Sequence, residues 1–206
     1  MKYTLRALSL LQPWASAVVL LFKEYETRSW ETDKIGLFFL HASKGVKPED
    51  RTRFLDMFCP GYTPAAPGSR KEYPLPTAAI IGLVTLVKCE RTEIVQERLT
   101  MAANYREMIL GDYSDNRYAW QLAKVIQFDK PVPYTGALGF WDLVYYREDP
   151  TQILSLAMEL QKKIDLWPGY QPVLDELYRA YEILRKDPGA LPQFKKPAPS
   201  KQTKLF

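Results

Sequence analysis

Residues 77–90, TAAIIGLVTLVKCE, are the strongest strand signal in the chain, and they dictate what the rest must do. So apolar and β-branched a run belongs in the middle of a sheet, and Gly82 within it marks a bulge or the corner of a barrel. Residues 5–11 alternate and then turn apolar, as a buried first strand would, and KIGLFFLHA (34–42) reads as a central strand. YAWQLAKVIQF (118–128) and GALGFWDLVYY (136–146) add two strands, separated by the loop DKPVPYTG. Short helices fall between them. QPWASAVVLLF has Pro13 in its first turn, KPEDRTRFLDMF (47–58) starts on a proline, and 91–109 has helical content before the turn LGDYSDNR (110–117). CPGYTPAAPGSRKEYPLP (59–76) carries five prolines and two glycines and reads as a long surface loop. About five to six strands with inserted short helices predict an α+β fold, a mixed β-barrel rather than a parallel doubly wound sheet.

After Tyr146 the pattern changes. Asp149 is an N-cap, Pro150 the first helical residue, and Gln152 stands three residues after the cap. The spacing predicts a helix to about Trp167 and a second over roughly 171–186, stopped at Asp187-Pro188-Gly189. The expected organisation is a barrel over 1–146, an α-helical hairpin over 147–190 packed on it, and a disordered Pro/Lys-rich tail over 191–206.

Several function classes are disfavoured. The only cysteines, Cys59 and Cys89, belong to no CxxC or Cys/His pair, so neither a disulfide framework nor a structural zinc is expected. Glu24, Glu26 and Glu31 lack metal-ligand spacing, and no metal or other cofactor is predicted. The single histidine, His41, rules out sites that need several. No apolar run reaches membrane-spanning length. Pro13 and Trp14 interrupt the stretch a signal peptide would need, which points to the cytoplasm. The net charge of +4 comes from the tail: Lys195, Lys196, Lys201 and Lys204 account for the excess of 28 basic over 24 acidic residues. The body is formally neutral, so an anionic ligand would be held by a local basic cleft and not by a global field.

The stretch ALSLLQPWASAVVLLFKEYETRSW resembles the signature of the ASCH family within the PUA-like superfamily, in which a GxKxxExR motif follows a QPWA-type helix. Here the motif positions are Leu21, Lys23, Glu26 and Arg28, with Leu21 in place of the glycine. GLFFLHASK continues the likeness with His41, Ala42 and Lys44, and the later strands match in order, so that it spans about 1–145. The resemblance implies a PUA-like barrel and either a nucleic-acid-binding module or a hydrolase, a ribonuclease or an amidohydrolase acting on a modified nucleoside. For a hydrolase the catalytic candidates are Lys23 and Glu26, although such amidohydrolases carry a threonine where this chain has Glu26.

The residues make chemical sense by themselves. In a cleft, Glu26 would orient Arg28 or Lys23 by charge-assisted hydrogen bonds and leave a positive head for a phosphate or base edge. On an open surface the same three would form an ion pair of little value. Trp14, Trp30, Tyr118 and Trp120 offer faces for base stacking, while Phe140 and Trp141 read as core. With Glu26 beside it, Lys23 is expected to keep its charge, favouring binding over base chemistry. His41, at the end of a central strand, is either a satisfied core histidine or a cleft residue, and Glu90 is a possible carboxylate partner. The ligand-binding set is therefore Trp14, Lys23, Glu26, Arg28, Trp30, His41, Lys44 and Trp120, for RNA, single-stranded DNA or a modified nucleotide. A second signal is the ending Gln202-Thr203-Lys204-Leu205-Phe206, which resembles the bacterial sliding-clamp-binding peptide: Gln202 as polar anchor, Leu205 and Phe206 as apolar anchors, after the linker KKPAPSK.

Overall fold

The computed structural model describes residues 5–58, 75–143 and 149–186. Strand β1 (Arg6–Gln12) leads into helix α1 (Trp14–Val19), then β2 (Tyr25–Arg28), β3 (Gly36–Val46) and α2 (Pro48–Phe58). After the undescribed 59–74 come β4 (Ala79–Arg91), α3 (Thr92–Met101), α4 (Tyr105–Ile109), β5 (Tyr118–Pro133) and β6 (Phe140–Asp142). Helices α5 (Pro150–Gln161) and α6 (Gln171–Lys186) end the described chain.

The six strands form one sheet in the order β2-β5-β4-β3-β1-β6. β1 runs parallel to β3 and every other pairing is antiparallel. Register shifts along β4–β5 curl the sheet, one of them between Ile80 and Gly82. A Cβ on Gly82 would stand 2.3 Å from the Ile126 carbonyl oxygen, so the close approach of the two backbones requires glycine there. The curl brings the far strands together. Phe140 of β6 stacks on Trp120 of β5, ring centroids 5.7 Å apart, although β4, β3 and β1 lie between them in the ladder. This is the mixed α+β barrel that the strand pattern predicts.

Alternation along the strands divides the core in two. Leu8, Leu10, Phe38, Leu40, Val84 and Trp120 face α1, which buries Ala15, Val18 and Val19 against them. Ala7, Phe39, Leu83, Ile126, Phe128 and Trp141 face the other way, under Leu156, Leu160, Leu174 and Leu177 of the α5–α6 hairpin.

Several elements differ in extent from expectation. The charged motif forms a strand of its own, β2. The stretch 91–109 breaks at Ala103, whose φ of 51° is left-handed, and Asn104 caps a new helix by accepting from the Glu107 N–H. β5 continues through Lys130 to Pro133, so the first half of the expected loop is strand. Asp149 caps α5 as predicted, its carboxylate accepting from Thr151 N at 2.9 Å. Gln152 does not close a capping box, however; its amide reaches the Pro133 carbonyl at 2.9 Å and ties the hairpin to β5. α5 stops at Gln161, before the expected Trp167.

Candidate functional site: a cation and aromatic cleft beside β2

Helix α1 is ended by local chemistry. Phe22 N donates to Ala17 O at 2.8 Å and Leu21 N to Val18 O at 3.0 Å, the paired bonds of a Schellman turn, whose central residue is left-handed. That residue is Leu21, with φ of 59°. The motif glycine therefore serves a backbone need, and here leucine meets it with its side chain 64% exposed.

The turn sends Lys23 inward. It is 2% exposed, its Nζ donates to Leu110 O at 2.8 Å, and Glu26 Oε2 lies 3.9 Å away. Burial pulls its proton affinity below the ordinary lysine range, outweighing the opposing pull of the Glu26 and Glu107 carboxylates. The sequence-based expectation had weighed only the Glu26 charge; full desolvation reverses the direction.

Glu107 is the residue that sequence reasoning missed. Its buried carboxylate accepts from Glu24 N at 2.5 Å, Tyr25 N at 3.2 Å and the Tyr113 hydroxyl at 2.9 Å. Burial raises its proton affinity, while Lys23 and these donors oppose the rise. The usable signal was the Asn104-x-x-Glu107 spacing, a capping pattern just after Ala103. Here the glutamate turns away from the cap and holds the start of β2.

On β2, alternation puts Glu26 and Arg28 on one face, opposite Trp120 and Tyr118 of β5. Arg28 Nε is 3.0 Å from Glu26 Oε1, yet its N–H does not point along that line, so the contact is Coulombic and the donor is left without a protein acceptor. The guanidinium carbon stands 5.1 Å from the Trp30 ring centroid and 6.0 Å from that of Trp120. Trp30, 39% exposed, meets Trp120 edge-on at 5.8 Å. Phe140 stacks on Trp120, and Phe38 meets Phe140 edge-on at 5.5 Å. The buried Trp120 indole N–H also has no acceptor. The result is a partly exposed aromatic surface around Trp30 with one oriented cation, and beneath it two buried donors without protein acceptors.

Of the expected ligand-binding set, Glu26, Arg28, Trp30 and Trp120 come together, and Lys23 lies behind them as a buried anchor. His41 is elsewhere. Its Nε2–H donates to the Tyr134 carbonyl at 3.0 Å, and its Nδ1 accepts from Ser9 Oγ at 3.0 Å, which in turn accepts from Trp141 Nε1 at 3.0 Å. Ser9 and Trp141 alternate with Leu8 and Phe140, so His41 lies on the sheet face opposite the cleft. Lys44 is exposed on β3, and Trp14 is half-buried at the start of α1. Glu90 is held by Arg98 and Lys88, chiefly the Arg98 hydrogen bonds, and its carboxyl is pulled down to about 2. Asp112 and Arg117 pair with each other in their turn at 3.2 Å. Among the described residues, no group of three or more His, Cys, Asp or Glu is placed to hold a metal ion, and no helix is long and apolar enough to cross a membrane. Gln202, Leu205 and Phe206 lie outside the described residues.

The model of the ASCH domain matches residues 8–132, and the chain belongs to that family. No curated protein matches it in sequence. Among solved structures it is similar to the ASCH protein of Zymomonas mobilis, at 14% identity and a TM-score of 0.44, with 74% of this chain and 95% of that one covered. A mutant of the same Zymomonas mobilis protein gives 14% identity and a TM-score of 0.41, covering 74% and 97%.

Proposed function

We propose that the protein is a binding module for single-stranded nucleic acid or a modified nucleotide, with the base against Trp30 and its polar edge read by Arg28. The observation that carries this reading is the arrangement around Arg28. Glu26 and two indole rings fix the guanidinium, while its Nε–H and the Trp120 N–H still lack acceptors. A positioned cation beside an aromatic face is the chemistry of base recognition, and one stacked base contributes about 1–3 kcal/mol.

The second reading is hydrolysis of such a ligand. It rests on the lowered proton affinity of Lys23, a property that would suit a base. Against it, Lys23 Nζ is committed to Leu110 O and its side chain is only 1% exposed. A single assay separates the two: binding and turnover with single- and double-stranded RNA and DNA, with and without Mg²⁺, beside a panel of modified nucleosides. Binding without product, lost in Arg28→Ala/Trp30→Ala, supports a reader. Product whose formation depends on Lys23 or Glu26 makes the protein an enzyme.

The ending Gln202-Thr203-Lys204-Leu205-Phe206 supports a further role, tethering to a bacterial sliding clamp through Gln202, Leu205 and Phe206. It would bring the cleft to DNA under replication or repair, in the cytoplasm.

A further inference from the structure

The aromatic wall has a second end. Phe140 stacks on Trp120, and two cations gather at the same phenyl ring: the Arg6 guanidinium carbon 5.9 Å and Lys34 Nζ 5.7 Å from its centroid. Arg6 comes from β1. Lys34 comes from the turn before β3, where Ile35 N donates to Asp33 O at 2.8 Å and Gly36 adopts φ of 115°. That turn aims the Ile35 carbonyl at Arg6 Nη2, 3.4 Å away.

These two cations are not neutralised. Among the described residues neither forms an ion pair, which is equally true of Lys44, Lys47, Arg53, Arg106, Lys124 and Lys130; what sets Arg6 and Lys34 apart is that both meet the same ring. Asp142 stands opposite Arg6 in the β1–β6 register and Asp33 adjoins Lys34, yet neither comes within 4 Å of either cation. Arg6 Nε is moreover buried without an acceptor. Two like charges brought to one ring, with the nearest acids beyond ion-pair distance, repel in the free protein, and an anion relieves that repulsion on binding.

We infer that Arg6 and Lys34 form a phosphate subsite at the Phe140 end of the cleft, so that the ligand is a nucleotide or phosphodiester strand and not a free nucleoside. This rests on the proposal that a base occupies the Arg28–Trp30 end. The aromatic wall connects the two ends. Arg28, already engaged by Glu26, serves the base, while Arg6 and Lys34, with no carboxylate within ion-pair distance, serve the phosphate.

The test is tryptophan fluorescence and calorimetric titration of the full chain at low salt. The probes are adenosine and cytidine, their 5′-monophosphates, inorganic phosphate, and ribotrinucleotides without a terminal phosphate. A phosphorylated probe is expected to bind about tenfold or more tightly than the nucleoside, the scale of one net charge-assisted hydrogen bond. Arg6→Gln and Lys34→Gln should each remove most of that advantage and leave nucleoside affinity unchanged. Lys34 is exposed, so its variant folds regardless of the fate of Arg6→Gln. A preference for the monophosphate identifies a terminal phosphate, and a preference confined to the trinucleotide identifies a backbone phosphate; either supports the subsite. Equal affinity for nucleoside and phosphorylated probes overturns the subsite and leaves the base-binding reading standing, as does an advantage that survives both substitutions. Binding of phosphate alone, with no nucleoside or nucleotide bound, overturns the base-binding reading. No binding of any probe overturns both.

Discussion

Lys23 Nζ donates to the carbonyl oxygen of Leu110 across 2.8 Å, which fastens the segment after α4 to the start of β2. Together with Glu107, which grips the Glu24 and Tyr25 amides, it makes a buried clasp behind the cleft. The motif thus divides by position: Lys23 is a buried anchor, Glu26 stands between the two cations, and Arg28 is the cation proposed to face the ligand. Lys23→Ala leaves Glu26, Glu107 and the Leu110 carbonyl without their cation and is expected to cost about 3–5 kcal/mol. Arg28→Ala should cost less, since Glu26 keeps Lys23 beside it and the Arg28 side chain is the more exposed of the two cations, while weakening ligand binding. Urea unfolding of the two variants checks the contrast. Equal losses would mean that Arg28 belongs to the clasp.

Leu21 offers a stabilising change. An L-residue in the left-handed region costs about 1–2 kcal/mol, and glycine gives back about 0.5–1 kcal/mol of this through the entropy of the unfolded chain. Because the Leu21 side chain is mostly exposed, Leu21→Gly loses little packing. It is expected to stabilise the protein by about 0.5–1 kcal/mol in thermal or urea unfolding. A loss of stability would show that the leucine packs against the cleft rim.

His41 predicts a pH dependence. Burial holds its pKa below the ordinary histidine value of 6.5, opposed by its bond to the Tyr134 carbonyl. The unfolded chain therefore takes up the proton first as pH falls. Stability should be level above about pH 7 and should decline as pH is lowered past 6.5 toward the folded pKa. His41 is the only histidine, so a single imidazole resonance reports it by NMR. A midpoint at or above the ordinary value would contradict the neutral Ser9–His41–Tyr134 chain.

Much of this was legible because local signals agreed. The apolar runs marked β1, β3, β4 and β5, Asp149-Pro150 marked the start of α5, and the leucine spacing marked α6. The motif pointed to Arg28 and, through its aromatics, to Trp30 and Trp120. Tertiary facts were not legible. The face to which His41 points depends on register shifts along the strands, which leave no periodic trace in the sequence. The partnership of Lys23 with Leu110 and of Glu24 with Glu107 joins positions more than eighty residues apart. Phe140 read as core because nothing local reveals that the barrel closes it onto Trp120, with Arg6 and Lys34 alongside.

The clamp reading gives a prediction independent of the cleft. Deleting residues 202–206 should abolish binding to a purified bacterial sliding clamp in a pull-down or calorimetric titration. The melting temperature should not change, as a tether that acts independently of the barrel requires. Retained binding after the deletion, or none by the full chain, would remove the tether.

The α5–α6 hairpin lies beyond the matched 8–132, yet it covers half of the barrel's core. Leu177 is fully buried against that face, whereas Ile183 on the same helix is 36% exposed. Leu177→Ala is expected to cost about 2–5 kcal/mol, the range for truncating a buried leucine, and Ile183→Ala less than about 1 kcal/mol. The informative measurement is whether Leu177→Ala unfolds in one transition, with Trp141 of the shared core as a fluorescence reporter. One transition at lower urea means that hairpin and barrel share a single core and that the hairpin is no detachable appendage. Two transitions, with the barrel outlasting the helices, would mean that the exposed face of β5 tolerates water and that the hairpin serves another purpose.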